Sequence, residues 1–393
     1  MSHSKRRSRS SPGSTSRRAT QPARRPLPIW KKAIFGLTIC VLFFLALEAL
    51  LTVVGVKVIL YEQDPYVGFS RKVPHFVPDP AEPGMLVTAE NKRRVLNLQQ
   101  FAATKPGGTY RIFCLGGSTT YGHPYTDPTS FCGWLRAMLP KADPSRRWEV
   151  INGGGISYAS YREALLMEEL IAYQPDLFVV LSAHNEFLEE RTYGAIKSMP
   201  ESWRGLGAVL ARTHVYSAMK IGMDHLRGDH AGSGSMTNLL AENPEAILDR
   251  TIGPQSYHRD DARQNAIVEH YRFNLTRMVD IARSAGARVI FITPASNLRS
   301  CTPFKSEHRA GLQPGERIQW ENFIRQALDA RQRQDSLQAL QYVDQAAALD
   351  DRYAELHYLR GNLLADLQRF PEARAAFVRA RDEDVCPLRA LSL

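Results

Sequence analysis

From Ala33 to Val56 the chain reads AIFGLTICVLFFLALEALLTVVGV, 24 residues with one charge, Glu48. Nothing else limits the fold as strongly, because a segment this apolar has to leave water. As a helix rising about 1.5 Å per residue it reaches roughly 36 Å, which spans a bilayer core of about 30 Å. Lys31 and Lys32 precede it, and no basic residue follows before Lys57. The positive-inside rule therefore keeps the N-terminus cytoplasmic and sends everything after Val56 across the membrane. A cleaved signal peptide is the alternative. The stretch is long for one, and no clean small-x-small site follows it. The expectation is a single-pass signal anchor in the inner (cytoplasmic) membrane, with the main domain periplasmic.

The net charge of +10 suggests a nucleic-acid binder until it is mapped. Ten basic residues (Lys5, Arg6, Arg7, Arg9, Arg17, Arg18, Arg24, Arg25, Lys31 and Lys32) precede the first acid, Glu48. Of 50 Lys and Arg, that leaves 40 against 40 Asp and Glu, so the rest of the chain is formally neutral. The basicity belongs to a Ser/Arg/Pro-rich tail expected to be disordered, and no nucleic-acid partner is implied. Of five cysteines, Cys40 lies in the apolar segment. Cys114, Cys132, Cys301 and Cys386 follow it, and four cysteines allow three pairings that sequence does not choose between. No Cys/His cluster has zinc spacing, so no metal and no cofactor are expected.

After a Pro-rich stretch (64–83) the pattern changes. Tyr110–Leu115, Trp148–Asn152, Leu177–Leu181 and Arg288–Thr293 are short apolar runs that read as strands. Between them, Ser130–Leu139, Tyr161–Tyr173 and a long segment with Ile267, Tyr271, Leu275, Met278 and Ala282 on one face, closed by Gly286, read as helices. Apolar strands alternating with amphipathic helices indicate an α/β fold with a parallel sheet covered on both faces. Residues 194–257 are polar, with Gly and Ser at 228–235, and read as an insertion near the site. From Trp320 to Asp384 only helix-forming composition remains, and it aligns with itself at an offset of 34. Phe323 falls on His357, Ala327 on Gly361, Ala339 on Ala373, Val343 on Phe377 and Ala346 on Ala380. This period and its small residues resemble the tetratricopeptide repeat (TPR), with an ordinary helical hairpin as the alternative. The expected order is a basic cytoplasmic tail (1–32), the anchor (33–56), an extended lead-in (57–105), an α/β domain (106–318), TPR-like repeats (319–385) and a short tail (386–393).

Three polar or Gly-rich turns follow three consecutive strands: Gly116-Gly117-Ser118-Thr119, Asn152-Gly153-Gly154-Gly155-Ile156-Ser157-Tyr158, and Ala183-His184-Asn185-Glu186. Open α/β sheets place their sites beyond the carboxyl ends of strands. Acyl transfer needs a nucleophile and donors aimed at the developing oxyanion, and these turns offer a serine, backbone N–H groups and an asparagine amide.

In this order the three turns resemble blocks I, II and III of the SGNH hydrolases, also called GDSL esterases. The resemblance covers roughly 111–293, and the anchor with TPR-like repeats is similar to a membrane-anchored branch of that superfamily. It implies a flavodoxin-like α/β/α sandwich and ester hydrolysis, or O-acyl transfer, through a serine. Carried over by position, Ser118 matches the nucleophile and Asn185 an oxyanion-hole donor. The block II donor is a backbone N–H. The usual glycine of that block falls at Ser157, and Gly155 or Gly154 can replace it only if the turn is shifted. Block III also departs from the family's Gly-x-Asn-Asp. An acylated small molecule, or a cell-envelope glycan or lipid, is the implied substrate class, and the repeats imply a protein partner.

SGNH enzymes carry their base as Asp-x-x-His near the C-terminus. None of the eleven histidines here has Asp three positions before it. The resemblance thus implies a block still to come, and residues 386–393 are expected to be the cut end of a longer product. His123, His184 and His258 read as surface or structural, and Glu186, Glu189 and Glu190 as solvated or near a helix N-terminus. Asn274-Leu275-Thr276 has the form of a glycosylation acceptor but lies inside the long helix. The rival reading is a catalytically dead, membrane-anchored scaffold acting through its repeats.

Overall fold

The computed structural model describes residues 28–56, 58, 68–182, 185–188, 200–226 and 257–386. The basic tail, Ala183 and His184, Glu189 and Glu190, the Gly/Ser-rich stretch at 228–235 and the last seven residues lie outside the described residues.

Helix α1, Ile29–Val54, forms a unit by itself. It is long and apolar enough to cross a membrane, with a mean hydropathy of 2.6 over its best window. Its two threonines bond within the helix, Thr38 Oγ1 to the Ile34 carbonyl at 2.9 Å and Thr52 Oγ1 to Glu48 at 2.8 Å. That matches what a hydrocarbon environment asks of a hydroxyl.

The second unit begins with a small antiparallel sheet in the order β1 (Phe76–Pro78), β2 (Met85–Thr88), β3 (Gln100–Ala102). The stretch expected to be an extended lead-in therefore carries a sheet of its own. Its strands are three or four residues long, too short for an alternating pattern to stand out. Phe76 and Phe101 stack edge to face at 5.1 Å, and Phe101 meets Phe113 of the main sheet at 5.6 Å. Arg111 is fully buried at this junction, bonding Glu149 and the carbonyls of Tyr173 and Ala102.

The main sheet is four parallel strands: β4 (Thr109–Gly116), β5 (Arg147–Gly154), β6 (Leu177–Leu181) and β7 (Arg288–Phe291), in the order β5-β4-β6-β7. Alternation along β4 divides its side chains between two layers. Phe113 and Leu115 join one core with helices α4 (Ser160–Leu170) and α7 (Asp261–Ser284). Ile112 and Cys114 join another with α3 (Phe131–Ala142). A one-turn helix α2 (Ser118–Tyr121) follows β4, and α5 (Glu201–Leu210) and α6 (His214–Leu226) lie in the stretch read as an insertion. β7 bounds the sheet and leaves Ile290 and Phe291 exposed.

Four helices follow among the described residues: α8 (Pro314–Gln332), α9 (Ser336–Leu349), α10 (Ala354–Asp366) and α11 (Phe370–Asp382). The 34-residue offset recurs in their geometry. Gln334 and Gln368 both take a left-handed conformation, φ 65° and 58°. The following amides close the same turn, Asp335 to the Ala330 carbonyl at 3.0 Å and Arg369 to Leu364 at 2.8 Å. Ala327, Ala339, Val343 and Ala346 are buried, as are Gly361, Ala373, Phe377 and Ala380 at the matching places. The repeats are latched to the α/β part by Arg259, whose guanidinium bonds Glu383 at 2.9 Å and the Arg352 carbonyl at 2.6 Å. The Asp384 carboxylate adds bonds from the amides of Phe304 and Lys305.

Candidate active site

Strand register builds the site. Gly116 pairs with Gly154 on one side and Leu181 on the other, so β4, β5 and β6 end at one level and their turns leave the sheet together. At Gly116 the backbone has φ +151°, and an added Cβ would lie 2.4 Å from the Leu181 carbonyl oxygen. Only glycine lets the first turn depart beside β6.

The three turns meet just beyond. A Cβ at Gly117 would lie 2.5 Å from Asn185 Nδ2 and 3.2 Å from the Tyr158 carbonyl oxygen. Asn185 Nδ2 donates to that carbonyl at 2.7 Å. A carboxamide carries two donor hydrogens, so this bond fixes the side chain and leaves the second for a ligand. Ser118 follows Gly117 as the first residue of α2 and is half-buried. Among the described residues its hydroxyl and amide have no hydrogen-bond partner.

In the second turn the amides are used in sequence. Gly154 N–H goes to Asn152 Oδ1 at 2.9 Å, Gly155 N–H to the Gly116 carbonyl at 2.9 Å, Ile156 N–H to Val95 at 2.8 Å and Tyr158 N–H to Gly155 at 3.1 Å. Of these amides, that of Ser157 alone has no acceptor among the described residues. The Gly155 amide thus ties the turn to β4. Ser157 has φ +62°, a region that costs a residue with a Cβ roughly 1–2 kcal/mol. Its carbonyl is held by the buried guanidinium of Arg162, which lies 4.4 Å from the Tyr158 ring centroid and 4.8 Å from that of Phe69.

Several supporting residues were not visible as such in the sequence. The Asn152 side chain donates to the Thr120 carbonyl at 2.9 Å and to Asp127 at 2.6 Å, tying β5 to the loop after Ser118. Burial pushes the Asp127 carboxyl up, but bonds from Arg136, Asn152 and Gln99 outweigh it and hold the group below its usual range. Glu186 is buried rather than solvated, at a helix N-terminus, the second of its two expected places. It accepts from Ser160 N at 2.7 Å and Ser160 Oγ at 2.9 Å, and so satisfies the first turn of α4. Asn274 is buried and donates to the same hydroxyl at 2.9 Å, which removes it as a glycan acceptor. Tyr271 donates to the Ser182 carbonyl at 2.7 Å. Burial, then the charges of Glu186 and Glu163, push its phenol well up, so it remains a donor.

Three histidines pair with carboxylates that sequence proximity did not suggest: His75 with Glu169 at 2.8 Å, His258 with Glu307 at 3.0 Å and His308 with Asp350 at 2.7 Å. The His75 ring also reaches Tyr158 OH at 3.3 Å, and His308 packs between Trp320 and Tyr353. His258 lies in a cleft with Phe187, Arg263 and residues 382–385 at the end of α11, and its partner is Glu307, not the neighbouring Asp260 or Asp261. Among the described residues no histidine ring bonds the Ser118 hydroxyl; the His123 amide bonds the Ser118 carbonyl at 3.0 Å.

No family model matches the chain, and no curated protein matches it. Among solved structures it is similar to a two-domain esterase (CEX) active on acetylated mannans, with a TM-score of 0.17 and 11% identity. The match covers 52% of this chain and 58% of that one, so the chain spans little more than half of that esterase's length.

Proposed function

We propose that this chain is a membrane-anchored SGNH/GDSL-type serine hydrolase acting on ester bonds, as an esterase or an O-acyl transferase. The observation that carries the reading is the meeting of the three turns: Gly117 against the Asn185 amide, and that amide anchored on the Tyr158 carbonyl. Ser118 is the nucleophile. Its own N–H, the Ser157 N–H and the second Asn185 hydrogen are the oxyanion donors, and donors fixed before reaction cost no reorganisation during it. Attack by Ser118 Oγ on the ester carbonyl forms the acyl-serine and breaks the bond to the alcohol, which leaves with the serine proton. Water, or an acceptor hydroxyl in a transferase, then releases the acyl group from the serine.

The strand order β5-β4-β6-β7 fits a flavodoxin-like doubly wound sheet, whose ligands bind beyond the carboxyl ends of the strands. The 34-residue turns fit TPR-like packing, and the repeats are the surface for a protein partner. With α1 as anchor, the N-terminus cytoplasmic and the site on the periplasmic side, the substrate is an acylated small molecule or a cell-envelope glycan or lipid. No nucleic acid and no cofactor enter the reaction.

The test is labelling of the full chain in detergent with a fluorophosphonate, followed by peptide mapping. A label on Ser118, lost in Ser118→Ala and reduced about 10²–10³-fold in rate in Asn185→Ala, is the expected result. The rival reading, a scaffold with a relic site, rests on the Ser118 hydroxyl having no histidine partner among the described residues. A folded chain that neither labels at Ser118 nor turns over an activated acetyl ester establishes that rival instead.

A further inference from the structure

Two cysteines that take no part in the proposed reaction lie on either side of the nucleophile. Cys114 is on β4, two residues before Gly116, and Cys132 is the second residue of α3. Both are fully buried in the apolar cluster that joins α3 to the sheet, with Ile112, Val150 and Val179. Alternation along β4 dictates this, since Cys114 shares a face with Ile112 and turns away from Phe113 and Leu115. Both are free thiols here, and of the four cysteines after α1 only these two belong to one packed cluster. The neighbouring Cys132, followed by burial, holds the Cys114 thiol well above its usual range. Cys132 Sγ also lies 3.9 Å from the Thr120 carbonyl, directly under the loop that carries Ser118.

Four cysteines follow α1, and this arrangement selects one of their three pairings. We propose that Cys114 and Cys132 form a disulfide, closing a loop around Ser118, when the chain folds in the presence of a disulfide oxidant such as glutathione disulfide. One cysteine thiolate attacks a sulfur of the oxidant, giving a mixed disulfide and releasing one glutathione thiolate. The other thiolate attacks the protein sulfur of that mixed disulfide, forms the Sγ–Sγ bond and releases the second glutathione. The protein gives up two electrons and the oxidant gains them; the two thiol protons end on the two glutathiones. Thiols this buried are slow to ionise once the core has closed, so the bridge forms while α3 is still docking on β4. The closed loop runs from 114 to 132 and holds Gly116, Gly117 and Ser118. Its effect is to narrow the unfolded ensemble of the segment that presents the nucleophile.

The pair has a convenient readout. Arg111 and Arg136 are consecutive tryptic sites, so both cysteines fall in one peptide, residues 112–136. The full chain is synthesised cell-free into detergent micelles, once in a glutathione and glutathione disulfide buffer and once in excess dithiothreitol. Each preparation is denatured in iodoacetamide, digested and weighed. The oxidised preparation is expected to yield peptide 112–136 unalkylated and two hydrogens lighter, and the reduced one the same peptide alkylated twice. The oxidised chain should also melt about 5–10 °C higher. Peptide 112–136 alkylated at both cysteines after oxidation, or linked to a peptide carrying Cys40, Cys301 or Cys386, overturns the proposal. The outcome is independent of whether Ser118 turns over an ester.

Discussion

The α/β part and the helical part of the folded unit are built on opposite plans. In the helices the packing is mainly with the next helix along, and the same turn recurs 34 residues later, at Gln334 and again at Gln368. In the α/β part the joining bonds reach across separations of up to 114 residues: Asn185 to Tyr158 over 27, His75 to Glu169 over 94 and Asn274 to Ser160 over 114. A repeat needs only its neighbour, so damage there stays local. The site needs three strands in register before any of its groups are in place, so damage at a strand end reaches all of them.

Two glycines break or sustain that contrast most directly. Gly116→Ala puts a Cβ 2.1 Å from Thr120 Oγ1 and 2.4 Å from the Leu181 carbonyl oxygen, at φ +151°. Leu181 belongs to the backbone of β6, so relief requires the β4–β6 ladder to part. A loss of roughly 3–5 kcal/mol in urea unfolding is expected, together with loss of Ser118 labelling. Gly361→Ala meets the Phe377 ring at 2.6 Å, a side chain that can swing as its helix shifts. Its expected cost is about 1–3 kcal/mol, with labelling retained. Equal costs, or loss of labelling in both, would remove the distinction between the two plans.

Acid separates the regions by a second route. His357 lies on α10, and burial, aided by the Arg379 charge, holds its imidazole below the usual range. The folded repeat therefore favours neutral His357. Stability is lost as pH falls below the unfolded value of about 6.5 toward the folded one. Glu169 lies on α4, bonding the His75 and Phe76 amides. Burial pushes it up, but the His75 charge and these bonds outweigh it and hold the carboxyl below its usual range. Its contribution is present above the unfolded value of about 4.3 and lost as pH falls through the folded one. Melting temperature against pH should thus fall in two stages. His357→Gln should flatten the upper stage and Glu169→Gln the lower.

What was legible in the sequence follows the same division. The strand runs at Tyr110–Leu115, Trp148–Asn152 and Leu177–Leu181 lie within β4, β5 and β6, because each is a continuous apolar run closed by a turn. The 34-residue offset was legible because helices repeat locally. Ser118, Ser157 and Asn185 stood out only as three turns in order. The small sheet at 76–102 was not legible, nor was the burial of Glu186, whose partner Ser160 lies 26 residues earlier on another element. Asn274 read as one polar residue on a helix, since nothing near it in sequence announces Ser160. A carboxylate or amide that satisfies a distant helix end has no local signature.

The smallest expected effect tests the site most sharply. Ser157 holds φ +62°, and among the described residues its amide is unbonded and its buried hydroxyl has no partner. If the N–H is what the turn supplies, the side chain is incidental and the left-handed backbone is what matters. Ser157→Gly relieves the strain but gives the unfolded chain more freedom, and these terms are each about 1 kcal/mol and opposite in sign. Stability should change by less than about 0.5–1 kcal/mol, and the rate of Ser118 labelling should stay within a factor of two or so of the parent. Ser157→Ala keeps the N–H and removes the hydroxyl, so it too should label. A rate that collapses in both variants would assign the work to the Ser157 hydroxyl. The second turn would then contribute a side chain to the site, as we propose the third does through Asn185.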